Sequence, residues 1–502
     1  MIKQSSFIGI VLLVFVLRVL IAIYLPLGND EVYYLLYARF PSYHYYDHPL
    51  MIGWFLKLFS FNLLWENNLG YRLFAIVLSI PTVFFIYKSM VVISNQSAAQ
   101  IAVLLFLSSI YNFVIAGVFV MPDAPMLFFW TLSLYLAILT FFDRNKIGQV
   151  EEKYFIPLCF ALGLTCLSKF HGIFLIFGIL GFIFFYRRSF LKSWTFWEGI
   201  VILILFSFPI IYWNYNNDWV QFDFYSNRVP EALNFKFSGI GKELIGQIAY
   251  TNPFVYFFII TFAILKYRKI KRINTKAFLL WTSLPFIFAV FFVALFKETL
   301  PHWSGPSYVS LIMLSSLVAD GVAAQWKLIS WIRLSLFSVV IISILGFTLI
   351  NFYPGTLGNK KDSDKYGTGD FTLDMYGWNS IGNKIRDKID ERHLNNLVMV
   401  SDNWFPAAHI DQYICREAKI PLFVLGEITS THHYNWVNQA RGGWQSADSA
   451  LTIVPSNYFR DPAISFKNYY SKVDKIDLIP QYRNGELVRY FHLYLLSGVV
   501  KK

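Results

Sequence analysis

The stretch Phe278–Phe296, FLLWTSLPFIFAVFFVALF, runs for 19 residues without a charged side chain. A helix of that length extends about 30 Å, which is the thickness of the hydrocarbon core of a bilayer. A helix on the surface of a soluble domain would show a polar face opposite its apolar one, and this stretch shows none. It therefore predicts a transmembrane helix, and Ile101–Gly117 repeats the pattern.

Similar apolar stretches recur through residues 1–352. The chain of 502 residues is 56% hydrophobic and only 15% charged, whereas soluble domains carry about 25% charged residues. We predict an all-α polytopic membrane bundle of about eleven transmembrane helices. The predicted spans lie near 7–26, 72–93, 98–120, 124–142, 154–168, 170–186, 198–215, 252–268, 278–296, 304–324 and 330–352.

Residues 353–502 differ in character, because Gly, Asp, Asn and Pro recur every few residues. Leu397–Ser401 and Leu451–Val454 are short apolar runs typical of buried strands. Trp378–Ile389 and Phe405–Arg416 show helical patterns. We predict a soluble α/β domain over 353–502, behind a membrane domain over 1–352.

The formal net charge of +12 lies almost entirely in the first 352 residues. Lys266–Lys276, with six basic residues, is the strongest topological anchor under the positive-inside rule. That rule places the N-terminus in the cytoplasm and the C-terminal domain on the opposite side. The basic excess is thus a membrane property, and we expect no nucleic-acid partner. Long aromatic outer loops at 27–71 and 216–251 suit amphipathic helices in the interface.

Two carboxylates follow the first span, in residues 28–34, GNDEVYY. Asp30 or Glu31, walled by aromatic rings, could have a raised pKa and act as a general base. Alternatively, Asn29 or Asp30 could serve as the N-cap of the next helix. The residues themselves leave both interpretations open.

Further polar groups fall on the same predicted outer face. Residues 45–49, YYDHP, and 121–125, MPDAP, each contain an acid, while 168–171, SKFH, contains a lysine that could bind a lipid phosphate. Asp123 could instead be an ordinary turn residue between prolines. Arg18, inside the first span, could snorkel or pair with an acid. The one-sided acids and cations are Asp30, Glu31, Asp47, His48, Asp123, Lys169, His171, Glu298 and His302.

These motifs resemble those of the bacterial GT-C membrane glycosyltransferases, a family related to protein O-mannosyltransferases and lipid A aminoarabinose transferase. The matching motifs are Asp30-Glu31, 46–49 (YDHP), 122–125 (PDAP) and Ser168-Lys169, in the expected order. The chain departs from the family at Leu50, where a second proline is usual. His48 stands where many relatives have lysine, so a phosphate contact there would depend on its protonation.

The resemblance implies an inverting glycosyltransferase in the bacterial inner membrane. It would move a sugar from a polyprenyl-phosphate-linked donor to a cell-envelope glycolipid, lipid A, a polysaccharide or a protein on the periplasmic side. Asp30 would be the base, with Glu31 and Asp123 orienting substrates. No cofactor is required, although Asp47 and His48 could hold a divalent metal. The expected donor-phosphate and substrate groups are Asp47, His48, Lys169, His171, Arg228, Tyr46 and His302.

Two other classes of function compete with this interpretation. A transporter or flippase for a lipid-linked sugar would explain the helices and Lys169. Transporters, however, usually keep polar residues at the bilayer midplane and often show inverted repeats, and neither is evident in this sequence. A membrane scaffold would leave the one-sided charges unexplained.

Overall fold

The computed structural model describes residues 3–142, 150–226, 235, 237–266, 268, 272–322, 324–394, 396–445 and 447–500. By packing, these residues group into two compact units. The first comprises residues 1–23, 42–44 and 48–342, and the second comprises residues 24–41, 45–47 and 343–502. The predicted boundary at residue 352 stays a prediction.

The helices and strands are numbered in chain order. The α-helices up to residue 352 are α1 (Gln4–Tyr24), α2 (Asn29–Arg39), α3 (Met51–Phe59), α4 (Asn68–Ile93), α5 (Gln96–Ser108), α6 (Asp123–Phe141), α7 (Phe155–Ser168), α8 (Ile173–Tyr186), α9 (Trp194–Tyr215), α10 (Val220–Ser226), α11 (Phe237–Thr251), α12 (Pro253–Ile259), α13 (Ile273–Trp281), α14 (Leu284–Ala294), α15 (Ser307–Val322) and α16 (Gln325–Phe352). The remaining helices and the strands are α17 (Trp378–Glu391), β1 (Val398–Ser401), α18 (Trp404–Ile410), α19 (Arg416–Ala418), β2 (Leu422–Val424), α20 (Ile428–Thr431), α21 (Tyr434–Ala440), β3 (Ser449–Pro455), α22 (Pro462–Ser465), β4 (Tyr470–Arg483) and β5 (Glu486–Val499).

The first unit is helical, and the protein crosses the membrane more than once. Among the described residues, six helical segments are long and apolar enough to span a bilayer, or seven if the bent pair α11 and α12 forms one span. Helices also occupy the other predicted positions, but they are shorter. The predicted count of eleven crossings is therefore not confirmed. The six segments are α1, α4, α6, α9, Ile273–Ala294 and Trp326–Phe352.

The core of the first unit surrounds α5, in which every residue from Ala98 to Ser108 is buried. This explains why its sequence has no polar face. Arg18 of α1 is also buried, and its guanidinium donates to the backbone carbonyls of Asn112, at 2.7 Å, and Phe113, at 3.1 Å. The π-helical turn Tyr111–Ile115 contains both carbonyls. Arg18 thus binds backbone oxygens, which neither sequence interpretation anticipated.

The second unit contains a five-stranded sheet in the order β2-β1-β3-β5-β4. β1 is parallel to β2 and β3, while β5 is antiparallel to β3 and β4. The predicted α/β character and the strands corresponding to β1 and β3 are confirmed. β4 was not predicted, because exposed polar residues interrupt its apolar ones. β5 was not predicted either, although it contains the apolar run Leu493–Leu496.

Candidate functional site

A buried ion pair lies where α6 begins and α7 ends. Lys169 Nζ is 2.8 Å from Asp123 Oδ2, and the Tyr111 hydroxyl donates to Asp123 Oδ1 at 2.9 Å. Asp123 is fully buried and Lys169 is 5% exposed. Asp123 opens α6 and Lys169 directly follows α7, so the close packing of these two helices brings the charges together.

The position of the Tyr111 ring depends on a glycine. A Cβ atom on Gly305 would lie 2.6 Å from three carbons of that ring, a distance that real Cβ atoms do not adopt. Gly305 therefore lets the phenol lie flat against the backbone, where its hydroxyl reaches Asp123. A larger residue at position 305 would displace the hydrogen-bond donor.

Three histidines surround the ion pair. His171 and His302 both experience the charges of Lys169 and Asp123, and His48 lies close enough to affect His171. Burial, with a further contribution from Lys169, lowers the pKa of His302 to about 4. His302 is consequently neutral near pH 7, so the cluster carries its charge on Lys169 and Asp123. The structure brings together five predicted site residues: His48, Asp123, Lys169, His171 and His302.

Besides the Asp123 cluster just described, a second group of polar side chains, the Asp47 cluster, lies entirely within the second unit. The hydroxyl of Tyr33 donates to Asp47 Oδ2, and the hydroxyl of Tyr37 donates to the same oxygen at 3.1 Å. His432 Nδ1 is 3.0 Å from Asp47 Oδ1. Burial, followed by the charge of Asp47, raises the pKa of Tyr33 well above its usual value. Tyr33 therefore remains a protonated donor.

Aromatic rings enclose this cluster. Tyr45 stacks on Tyr37 with ring centroids 3.8 Å apart, and Trp404 stacks on His432 at 5.4 Å. Tyr46, a predicted substrate contact, lies against His432 with centroids 5.4 Å apart. The carboxylate of Asp47 is thereby held in one orientation by rigid neighbours.

The acidic pair Asp30-Glu31, predicted to supply the base, lies in the first turn of α2. The N-cap of α2 is Gly28, and the Glu31 carboxylate accepts a hydrogen bond from the Gly28 backbone N–H at 2.9 Å. The N-cap interpretation of Asn29 or Asp30 is therefore wrong, because both lie inside the helix. Glu31 is 2% exposed, while Asp30 is exposed. Asp30 stays the predicted base, and Glu31 has a structural contact that sequence reasoning missed.

The remaining predictions concern Arg228 and a metal ion. Arg228 lies outside the described residues. Within the described ranges, no three His, Cys, Asp or Glu side chains converge as metal ligands would, so a metal at Asp47 and His48 stays an expectation. Tyr33, Tyr37 and Tyr111 were not predicted as site residues. Their only sequence signal is their occurrence near the acidic motifs, which many aromatic residues of this chain share.

Comparison with known proteins identifies the fold. The structure of ArnT from Cupriavidus metallidurans bound to undecaprenyl phosphate superposes with a TM-score of 0.62, at 12% identity over 98% of both chains. The chain has the GT-C fold. The apo form of the same enzyme gives a TM-score of 0.61 at 13% identity, again over 98% of both chains.

At the level of sequence, the family described as dolichyl-phosphate-mannose-protein mannosyltransferase matches residues 47–213. A search of curated proteins found no match. The matched segment contains Asp47, Asp123 and Lys169, so the family match supports the GT-C resemblance over the motifs at 46–49, 122–125 and 168–169.

Proposed function

We propose that this protein is an inverting glycosyltransferase that uses a polyprenyl-phosphate-linked sugar. The observation that carries the proposal is the shared fold with ArnT, which was crystallised with undecaprenyl phosphate, over 98% of both chains. The match of residues 47–213 to mannosyltransferases that use a lipid-phosphate sugar supports it. We place the reaction on the periplasmic side of a bacterial inner membrane, where the predicted topology collects the acids and cations.

The reaction needs a base, a leaving-group cation and fixed substrate contacts. In the proposed step, an acceptor hydroxyl transfers its proton to Asp30 while its oxygen attacks the anomeric carbon. The bond from that carbon to the phosphate oxygen breaks, and polyprenyl phosphate leaves with the electron pair. A single displacement inverts the anomeric centre.

Lys169 is the proposed contact for the departing phosphate. Its ammonium group has three N–H donors, and Asp123 accepts one of them at 2.8 Å. The neighbouring His302 is neutral near pH 7 and can donate an N–H without adding charge. His48, His171 and Arg228 would supply further contacts, while Tyr46 and Asp47 would orient the sugar. Donors aimed at a developing phosphate charge lower the barrier most when their positions are fixed beforehand.

The experiment is sugar transfer by the full chain in lipid nanodiscs, with a panel of polyprenyl-phosphate hexoses and pentoses. Asp30→Asn should lower kcat by about 10²- to 10⁴-fold, the usual contribution of a general base. Asp387→Asn is the matched control, because Asp387 is an exposed acid on α17 in the same unit. NMR of the product should show an inverted anomeric centre.

Two results would contradict the proposal. Full activity of Asp30→Asn would remove Asp30 as the base. Absence of transfer by the wild-type protein with every donor and with glycolipid, glycan and protein acceptors would favour a transporter. The acceptor we favour is a cell-envelope glycolipid such as a lipopolysaccharide component.

A further inference from the structure

The second unit contains a cavity of about 250 Å³ that shares only Trp404 with the residues described around Asp47. It opens beyond the carboxyl ends of the parallel strands β1 and β3. The residues that matter for its chemistry are Asp402, Trp404, Phe405, Thr452, Tyr458 and Arg460.

The position of the cavity follows from the topology of the sheet. From β1 the chain passes to β2 on one side of it, and from β2 it crosses back to β3 on the other side. The order of strands therefore reverses between β1 and β3. Connections that leave in opposite directions open a crevice at the carboxyl ends of such strands, and ligands of open α/β sheets bind there.

The charged groups at this crevice are close to balanced. Asp402 Oδ2 accepts a hydrogen bond from Ser465 Oγ at 2.6 Å and lies 3.9 Å from Arg460 Nη1. The Asp402 side chain is 21% exposed and that of Arg460 is 52% exposed. One acid beside one base gives no net charge, so the site favours a neutral polar ligand over an anion.

Aromatic rings form the apolar part of the lining. Phe405 and Tyr458 meet edge to face, with centroids 4.4 Å apart, and the Tyr458 hydroxyl donates to Asp374 at 2.9 Å. Tyr458 is therefore held in place although it is 42% exposed. Trp404 adds a third ring. Such rings offer large, rigid apolar faces, against which the C–H faces of a sugar ring can pack.

Size restricts the ligand further. Pockets for drug-sized ligands enclose about 300–1,000 Å³, and this cavity is smaller at about 250 Å³. Its volume suits one six-membered ring with hydroxyl groups.

We propose that this crevice binds one neutral pyranose ring of the acceptor glycan, an assignment that rests on the proposed glycosyltransferase function. Asp402 would accept hydrogen bonds from adjacent ring hydroxyls, Arg460 would donate to a ring or hydroxyl oxygen, and the aromatic rings would pack on the C–H face. The C-terminal domain would thus select the acceptor.

Saturation-transfer NMR with the full chain in phospholipid nanodiscs tests this directly, without donor and without any glycoside detergent. The probes are the methyl glycosides of glucose, galactose, mannose and N-acetylglucosamine. Asp402→Asn keeps an acceptor for Ser465 and should weaken binding of the preferred glycoside about tenfold, since a hydrogen bond to a charged group is lost. Arg460→Ala, at an exposed position, should weaken it about threefold or more.

Asp461→Asn is the matched control. Asp461 caps α22 through the Ala463 backbone N–H, and asparagine caps a helix equally well. The affinity of Asp461→Asn for the preferred glycoside should stay within about twofold of the wild-type value. Equal melting temperatures of the wild type and Asp402→Asn would show that the lost binding is not unfolding. If Asp402→Asn does not fold, the glycoside affinity of Arg460→Ala tests the proposal instead.

Three outcomes would overturn the proposal: no saturable signal from any glycoside, equal weakening by Asp402→Asn and Asp461→Asn, or displacement of the glycoside by inorganic phosphate or glycine. Binding is measured separately from transfer. A protein that binds the glycoside but transfers nothing would refute the proposed function alone, and a protein that transfers sugar but binds no glycoside would refute the crevice alone.

Discussion

Asp123 and Asp47 are both buried acids, yet their surroundings differ. Asp123 is compensated by a full positive charge, with Lys169 Nζ 2.8 Å away. Asp47 is held by two phenol groups and by His432 at 3.0 Å. A buried carboxylate can therefore be stabilised by a counter-charge or by several polar donors, and the two solutions should respond differently to mutation.

The two carboxylates differ in how many contacts share the stabilisation of their charge. Removing one partner of a buried ion pair leaves an uncompensated charge. In a set of several hydrogen bonds, the loss of one donor leaves the others in place. We expect the Asp123 cluster to depend on one residue and the Asp47 cluster to tolerate single changes.

The largest effect is expected for Lys169→Met, which leaves Asp123 buried without its cation. Loss of one partner of a buried pair costs about 3–5 kcal/mol of unfolding free energy. The melting temperature of the purified protein in nanodiscs should fall accordingly. The double variant Asp123→Asn, Lys169→Met removes both charges and should recover most of the loss. A single variant as stable as the wild type would show that the pair contributes nothing.

An effect of intermediate size is expected from pH, through His302. Its folded-state pKa of about 4 lies below the unfolded value of about 6.5. Below pH 6.5 the unfolded chain therefore binds a proton that the folded chain does not. Through His302, stability should fall by at most about 1.4 kcal/mol per pH unit between pH 6.5 and 4, and His302→Asn should make the slope shallower by that amount. Unfolding of both proteins is measured at pH 7.5, 6 and 5.

Superimposable pH profiles for the wild type and His302→Asn would contradict a neutral buried imidazole. Above pH 6.5 both states of the wild type are neutral at this position, so the difference between the two profiles should be constant there. That upper range serves as the internal control.

The smallest effect is expected for Tyr37→Phe, which removes one of the donors to Asp47 and keeps the stacked ring. The free energy of unfolding should fall by about 1–2 kcal/mol, near the lower end of the range for a hydrogen bond to a charged group. Tyr469→Phe serves as the control within the same unit. A loss as large as that of Lys169→Met would show that the Asp47 cluster also depends on one contact.

Much of the fold could be predicted from sequence, because its causes are local. A span must be apolar for about 20 residues, since an unpaired backbone group in the bilayer is costly. Phe278–Phe296 shows this, because Ile273–Ala294 is long and apolar enough to span a bilayer, whereas Ile101–Gly117 overlaps the shorter, buried helix α5 and is not confirmed as a span. Buried parallel strands are also continuous apolar runs, which is why β1 and β3 could be recognised. The β4–β5 hairpin could have been found from its turn, where Asn484 and Gly485 have φ values of 50° and 80°, since Asn-Gly is the preferred pair for such turns.

The sequence by itself determined which residues carry charge and that, apart from Arg18, those of the first 352 residues stand outside the predicted spans or near their ends, because membrane insertion disfavours charged side chains within a span. Only the tertiary structure decided their partners. Lys169 meets Asp123 across 46 positions of chain, and Asp47 meets His432 from the far end of the sequence. A hydrogen bond requires a separation of about 3 Å, and that precision depends on how distant helices pack, which no local pattern of residues records.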